Sequence, residues 1–228
     1  YQYYKLFYQD TTLTDASGLL LPATTLAADC YSYMFYGCTA LTTAPELPAT
    51  TLANWCYNDM FRGCKALTAA PELPSTTLAT HCYQSMFANC TSLVTAPVLP
   101  ATTLATHCYM WMFGYCKALT AAPTLPATTL AQSCYDCMFA YCTSLVTAPV
   151  LPATTLLYYC YNAMFAYCTK LNYIKCLANS ISGTANTEDW VLGITITTGT
   201  FVKKRGIDWP KGKNGIPNDK WTVIEVDA

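Results

Sequence analysis

The chain has 228 residues, of which 53% are hydrophobic and only 11% are charged, with a formal net charge of −1. This balance excludes the strongly basic surface that nucleic-acid binding or attraction to anionic membranes requires. No apolar run reaches the roughly 18 residues of a membrane-spanning helix, so we expect no membrane insertion in this segment.

Residues 1–29 contain an altered copy of a pattern that repeats later. Phe7 and Leu13 keep the spacing of Phe35 and Leu41, whereas Asp10 stands where later copies carry a cysteine. A terminal repeat that departs from the consensus is expected where a stack of repeats ends. We therefore interpret residues 1–29 as a degenerate first coil.

The pattern then returns every 26 residues from Cys30 to Cys160, as C-Y-x-x-M-F-x-x-C-x-x-L-x-x-A-P-x-L-P-A-T-T-L-A. Periods between about 20 and 50 residues are typical of solenoids, propellers and arrays, and a propeller blade needs about 40. The sequence therefore predicts an α/β repeat fold, a solenoid of about seven 26-residue coils.

Each coil is predicted to contain a short helix and a short strand. Cys56, Met60 and Cys64 have the i, i+4, i+8 spacing of one helical face. Leu67 then begins a strand that Pro71 ends, because proline lacks the amide that a strand ladder needs.

The pattern changes after Leu171. Residues 179–189 are polar, while residues 190–202 and 221–226 have the apolar and β-branched composition of strands. We therefore expect a leucine-rich-repeat solenoid over residues 1–178 and a strand-rich C-terminal cap over residues 179–228.

The motif M-F-x-x-C-x-x-L, preceded by L-P-x-x-T-L, resembles the BspA-type (Treponema-type) leucine-rich repeat. The match includes Met34-Phe35, Cys38, Leu41 and Leu47-Pro48, and it recurs in later copies. The C-terminal tail is similar to that of surface proteins from gut Bacteroides-type bacteria. The resemblance implies a secreted or cell-surface bacterial protein concerned with adhesion or protein binding, and it carries over no catalytic residue.

One departure from this family concerns the strand. Ala44-Pro45 stands where the family usually has β-branched residues. We therefore expect the concave strand of each coil to be short or irregular.

Twelve of the fourteen cysteines form two columns, which begin with Cys30 and Cys38, while Cys137 and Cys176 stand outside them. Their spacing is not that of a metal site, so no metal is predicted. Neighbouring coils about 4.8 Å apart would permit disulfides, yet each cysteine then has two equivalent partners. We expect a ladder of free buried thiols, with some disulfides as the alternative, and an exposed thiol at Cys137.

Paired threonines such as Thr50-Thr51 recur in every coil. They predict a structural ladder with hydrogen bonds shared between coils. Ice-binding arrays are the alternative, although adjacent threonines would point to opposite faces of an extended segment. Glu46 and Glu72 share a column, and glycosidases use a pair of neighbouring carboxylates, but the next copy carries Val98. We therefore predict no enzyme activity, no catalytic residue and no cofactor.

Columns that vary between otherwise uniform repeats are expected to be exposed. Aromatic rings there suit contact with a glycan or a protein. We predict a non-catalytic, extracellular or cell-surface binding and adhesion module that displays a multivalent face to a protein or glycan. The alternative is a structural spacer or a self-associating fibre component. The predicted ligand-binding residues are Trp55, His81, His107, Trp111, Tyr115, Tyr141 and Tyr159.

Overall fold

The computed structural model describes residues 3–181 and 184–227, so residues 1, 2, 182, 183 and 228 of the predicted domains lie outside the described residues. It contains β1 (Thr147–Leu151), β2 (Tyr173–Cys176), a short 3₁₀ helix (Thr184–Asn186), β3 (Thr200–Lys204) and β4 (Thr222–Val226). The strands form one parallel sheet in the order β1-β2-β3-β4, with the strands following one another along the chain. The chain is therefore a β-solenoid, and the prediction of a repeat solenoid is confirmed.

In the earlier coils the sheet is reduced to single bridges. Asp15 pairs with Thr43, Ala69 with Thr95, and Ala121 with Thr147 at the start of β1, all in the parallel sense. The proline that follows two residues later removes an amide from the ladder, as the Ala-Pro sequence predicts. The strand predicted after Leu67 is thus only a bridge.

The segment between the two cysteines of each coil is not helical. In the coil that begins at Cys56, residues 54–63 form consecutive turns, and the described ranges contain no α-helix. The helix predicted from the spacing of Cys56, Met60 and Cys64 is therefore wrong, and so is the α/β class. We call this stretch, with its equivalents in other coils, the turn segment.

Hydrogen bonds between coils explain why the turn segment replaces a helix. Every second amide donates to a carbonyl of the next coil at 2.8–3.1 Å, namely those of Trp55, Tyr57, Asp59, Phe61 and Gly63. The amides between them donate to carbonyls three residues earlier and close β-turns. A helix would use all of these amides internally and leave the coils without this link.

The side chains that point inward stack from coil to coil. In the coil that begins at Cys82, the buried positions are at most 1% exposed: Cys82, Tyr83, Met86, Phe87, Cys90 and Leu93. Phe61 and Phe87 stack with ring centroids 5.7 Å apart and planes within 2°. Burial of each such ring contributes about 1.5–3 kcal/mol, so these invariant positions hold the coils in register.

Trp190 closes the core at its C-terminal side. Its ring is fully buried, packs on Tyr161 and Phe165, and stacks on Trp209 at 5.1 Å. Its indole N–H donates to the carbonyl of Gly215 at 2.8 Å. Trp190 thus ends both the stack of tyrosines and the stack of phenylalanines.

The C-terminal strands agree in part with prediction. β4 lies within the predicted 221–226 strand, whereas the 190–202 prediction holds only at β3, which pairs with β2. Residues 190–193 continue the turn segments, since the amide of Phe165 donates to the carbonyl of Trp190 at 2.8 Å. The domain boundary at residue 178 stays a prediction.

No helix among the described residues combines the length and apolarity of a membrane span.

Candidate functional site: an aromatic face on the turn segments

The three variable columns of the sequence share one backbone conformation. All of their members have positive φ angles between 45° and 78°: Asp29, Trp55, His81, His107, Ser133 and Tyr159; Tyr33, Asp59, Ser85, Trp111, Cys137 and Ala163; Gly37, Gly63, Asn89, Tyr115, Tyr141 and Tyr167. Within each coil the variable positions are four residues apart, which is the spacing of successive turns in the turn segment.

Positive φ is costly for most of these residues. The left-handed region costs residues other than glycine roughly 1–2 kcal/mol, and asparagine tolerates it best after glycine. Glycine and asparagine appear here at Gly37, Gly63 and Asn89, yet tryptophan and tyrosine occupy many equivalent positions. Since strained positions often mark functional sites, these aromatic residues are the natural candidates.

A first aromatic stack contains three of the predicted residues. The ring of His81 lies between those of Trp55, at a centroid distance of 3.6 Å, and His107, at 4.4 Å, with planes within 11°. All three side chains are half-buried. The structure thus brings three successive members of one variable column into a continuous surface.

His81 is held as a neutral ring within this stack. Burial lowers its pKa, and Nδ1 lies 2.5 Å from Oε1 of Gln84. The hydrogen bond opposes the shift, but burial is the larger effect. At neutral pH the His81 ring therefore presents ring surface to its neighbours rather than positive charge.

A second stack contains Trp111, Tyr115, Tyr141 and Tyr167. Successive centroids are 6.0, 4.3 and 4.6 Å apart, and the planes agree within 10°. Tyr159 lies apart and packs on Tyr158 at 4.0 Å. We call the two stacks together the aromatic face.

Tyr167 is a member of this face that the prediction missed. It is 38% exposed, more than the predicted residues. The sequence did contain an indication, because Tyr167 shares its column with Tyr115 and Tyr141.

Two glycines let these rings lie flat on the backbone. A Cβ at Gly114 would come within 2.5 Å of Cε3 of Trp111, and one at Gly193 within 2.5 Å of Cδ1 of Tyr167. Both ends of the second stack are therefore seated on glycine, which fixes the orientation of the rings.

A pocket of ≈ 420 Å³ opens at the Trp111 end of the second stack. Trp111 and Tyr115 form one wall, and Arg62 from an earlier coil stands opposite. We call this pocket the notch; Gln84, Ser85, Ala88, Asn89 and Met110 complete its lining. Of its members the sequence predicted only the two aromatic residues.

Arg62 is fixed on its side of the notch. Its Nη1 donates to Oδ1 of the buried Asp59 at 3.1 Å, and its guanidinium lies 5.9 Å from the ring centroid of Tyr36. Burial raises the pKa of Asp59, while the bond to Arg62 opposes that rise. The ion pair with Asp59 therefore compensates the positive charge of Arg62 at this wall of the notch.

Aromatic contacts continue toward the first coil. Tyr8 stacks on Tyr36 at 5.0 Å. The ammonium of Lys5 lies 5.0–5.4 Å from the centroids of Tyr4, Tyr8 and Tyr33. Lys5 thus makes cation–π contacts with all three of these rings.

All fourteen cysteines are free and buried, as the thiol prediction expected. The second column forms a thiol ladder, in which the thiol of Cys90 donates to the carbonyl of Phe61 at 3.1 Å, as do its equivalents. Burial raises the pKa of Cys90 to about 12.

The predicted exposed thiol is wrong. Cys137 is only 8% exposed, and burial, followed by the charge of Asp136, raises its pKa. Its side chain lies beneath Trp111 and Tyr141 in a small cluster with Ala140 and Ala166. A variable column is thus not exposed at every copy, because large neighbours cover small members.

The threonine pairs differ from expectation in one respect. Both members, such as Thr76 and Thr77, are exposed rather than on opposite faces, because the chain bends at Thr76. Backbone bonds link successive pairs: the amides of Thr50 and Thr51 both donate to the carbonyl of Thr24 at 3.0 Å.

Among the described residues, no three histidine, cysteine, aspartate or glutamate side chains are grouped closely enough to hold a metal ion. Glu46 and Glu72 are both exposed and border a proline-lined groove.

Neither protein-family models nor curated proteins give a match to this chain. Among solved structures, the chain is similar to the crystal structure of a leucine-rich repeat protein from Bacteroides ovatus. The two are 13% identical, with a TM-score of 0.32, and the alignment covers 98% of this chain and 77% of that one.

Proposed function

We propose that this chain is a non-catalytic binding module of a secreted or cell-surface protein, built as a BspA-type leucine-rich-repeat solenoid of about seven coils. Its partner is an extracellular protein or glycan that contacts the aromatic face. The observation that carries the proposal is the alignment of partly exposed tryptophan, histidine and tyrosine rings at strained positive-φ positions.

The physical support is preorganisation. Each ring of the second stack is bounded by a parallel neighbour or a glycine, so few rotamers remain to be lost on binding. Tyrosine and tryptophan also combine apolar area with a polar tip, which suits contact surfaces. Successive coils repeat the arrangement and so provide several contacts at once.

The absence of catalysis is part of the same proposal. Burial raises the thiol pKa values, which keeps the cysteines protonated and unreactive. His81 is held between two rings instead of facing a nucleophile.

The test is binding of the whole chain to arrays of glycans and extracellular-matrix proteins. We expect binding that falls when Trp55→Ala and Trp111→Ala are combined. The matched control combines Val98→Ala and Val150→Ala, which are 60% and 47% exposed and lie outside the aromatic face. Binding that survives the first variant, or falls equally with the second, would refute the role of the face.

A second candidate is the structural one, a spacer that associates with itself. It is favoured by four exposed valines: Val94, Val98, Val146 and Val150. Size-exclusion chromatography with light scattering over a dilution series separates the two, because a monomer at all concentrations argues against self-association.

A further inference from the structure

We propose that the notch binds a single neutral pyranose ring of a glycan, stacked on Trp111 and Tyr115. This deepens the proposed function, on which it rests, by naming the site and the chemical class of the ligand.

The wall of the notch is the open end of an aromatic stack. Tyr167, Tyr141 and Tyr115 follow one another at 4.6 and 4.3 Å, and the next member of their column is Asn89. Asparagine is shorter than tyrosine and cannot cover the ring above it. Trp111 of the same coil lies parallel to Tyr115 at a centroid distance of 6.0 Å, and both rings line the notch, where a further ring would continue the stack.

The width of the notch suits one such ring. Arg62 and Trp111 belong to coils that are two steps apart, or about 9.6 Å at the usual strand spacing. A sugar ring in van der Waals contact with Tyr115 occupies about 4 Å of this width. The remaining width of roughly 5.6 Å is room for the hydroxyl groups of the sugar and for the Arg62 side chain that would donate to them. The small side chains of Ser85 and Ala88 leave this space open.

The polar groups lie where ring hydroxyls would be. Asn89 has no side-chain hydrogen bond within the described residues, so its amide is available as both donor and acceptor. Gln84 uses Oε1 toward His81, which leaves its NH₂ group as a donor. Arg62 uses Nη1 toward Asp59 and retains further N–H donors. A pyranose chair has an apolar face for the wall and a rim of hydroxyls for these groups.

Charge favours a neutral sugar over an acidic one. The positive charge of Arg62 is paired with the carboxylate of Asp59, and none of the other described residues that line the notch is charged. An apolar peptide side chain could stack on the wall, but it would leave the amides of Asn89 and Gln84 without partners and bear their desolvation cost.

The experiment uses the five tryptophan indole N–H resonances of the labelled chain. The probes are the methyl glycosides of glucose, galactose, mannose and N-acetylglucosamine, titrated one at a time. We expect at least one probe to shift the Trp111 resonance, assigned with Trp111→Phe, and to leave the Trp55 resonance in place.

The matched variants are Tyr115→Ala and Tyr158→Ala. Both remove a tyrosine ring from the surface, but only Tyr115 lines the notch, whereas Tyr158 is 54% exposed and lies outside the aromatic face. We expect about three- to tenfold weaker binding of the probe for Tyr115→Ala and unchanged binding for Tyr158→Ala. Retained Trp190 and Trp221 resonances show that each variant is folded.

Three outcomes overturn the inference, and they are distinguishable from failure of the proposed function. If none of the glycosides moves Trp111 while the chain binds a protein on the array, the notch is not a sugar site but the face still binds. If a probe shifts Trp55 instead, the site lies on the first stack. If neither glycosides nor arrays give binding, both proposals fail.

Discussion

At the scale of the residue, Trp111 and Gly114 form an interlocking pair. The indole lies against the backbone at Gly114, where a Cβ would be 2.5 Å from Cε3. Gly114 is not among the residues with positive φ, so its own backbone does not require glycine. A glycine is needed at position 114 because the indole of Trp111 lies directly against it, and this contact orients the indole.

The first prediction follows from this pair. Gly114→Ala should displace the indole and cost about 1–3 kcal/mol of unfolding free energy, because an added methyl overpacks the contact. In a Trp111→Ala background the same change should be neutral or stabilising by up to about 1 kcal/mol, since alanine restricts the unfolded chain. Chemical denaturation of the four chains measures the coupling, and equal effects in both backgrounds would contradict the contact.

Cys137 gives a second prediction at this scale. Because burial and Asp136 raise its pKa, we expect the native chain to react with a maleimide no faster at Cys137 than at the thiol ladder. The control is the unfolded chain, in which all fourteen thiols should react. A single fast thiol in the native chain, abolished by Cys137→Ala, would show that the cluster around it opens.

At the scale of the element, the turn segment shows how far sequence reasoning reaches. The invariant positions, such as Cys82, Met86 and Phe87, are correctly predicted as core, because a buried column cannot vary. The helix prediction fails because the turns repeat every four residues. A pattern at i, i+4, i+8 fits this repeat as well as it fits the 3.6 residues per turn of a helix. What decides between them is hydrogen bonding between coils, which is not a property of any single coil.

The aromatic face and the notch were predictable to different degrees. Trp55, His81, Trp111 and Tyr115 follow from column variation alone. The notch does not, because it depends on small residues such as Ala88 lying between larger ones in neighbouring coils. A space left open by small side chains can be recognised only when the neighbouring coils are placed against each other.

The third prediction removes one element. Deletion of residues 82–107 joins His81 to the next cysteine, Cys108, and keeps every column in phase. We expect a cooperatively folded chain of reduced stability, because each coil contacts only its neighbours. Circular dichroism spectra and thermal melts measure this. Probe binding in the notch should be lost, since Gln84 and Asn89 are gone.

The matched control deletes residues 82–94, which brings polar positions into the core columns. That chain should not melt cooperatively. If both deletions unfold the chain, the coils are not interchangeable units.

At the scale of the whole molecule, the buried thiols link stability to pH. Burial raises the pKa values of Cys82, Cys90, Cys142, Cys160 and Cys176 from 9.0 to about 12. Between about pH 9 and about pH 12 the buried thiols of the folded chain therefore keep protons that the same thiols lose in the unfolded chain. The thiols therefore contribute stability that is fully present below about pH 9 and is lost as the pH rises toward 12.

The fourth prediction is a steep alkaline loss of stability. Each such thiol should lower the unfolding free energy by about 1.4 kcal/mol per pH unit above about pH 9. The buried tyrosines, whose pKa values burial also raises, add to the slope at higher pH. Urea denaturation from neutral pH to about pH 10.5 measures it. Cys90→Ala should flatten the slope by one thiol, and a curve without slope would contradict deep burial of the thiols.

The direction of the hydrogen bonds between turn segments also gives the molecule an electrical axis. In the coil that begins at Cys82, the amides that donate to the next coil all point toward the C-terminal side, and the same holds in the other coils. Peptide dipoles of about 3.5 D each therefore add along the turn segments, with the positive end at the C-terminal coils. The amides of Val94 and Thr95 donate in the opposite direction, to the carbonyl of Thr68, so this polarity belongs to the turn segments. Lys5 lies near the negative end. A chain with a net charge of only −1 is thus polar along its row of turn segments.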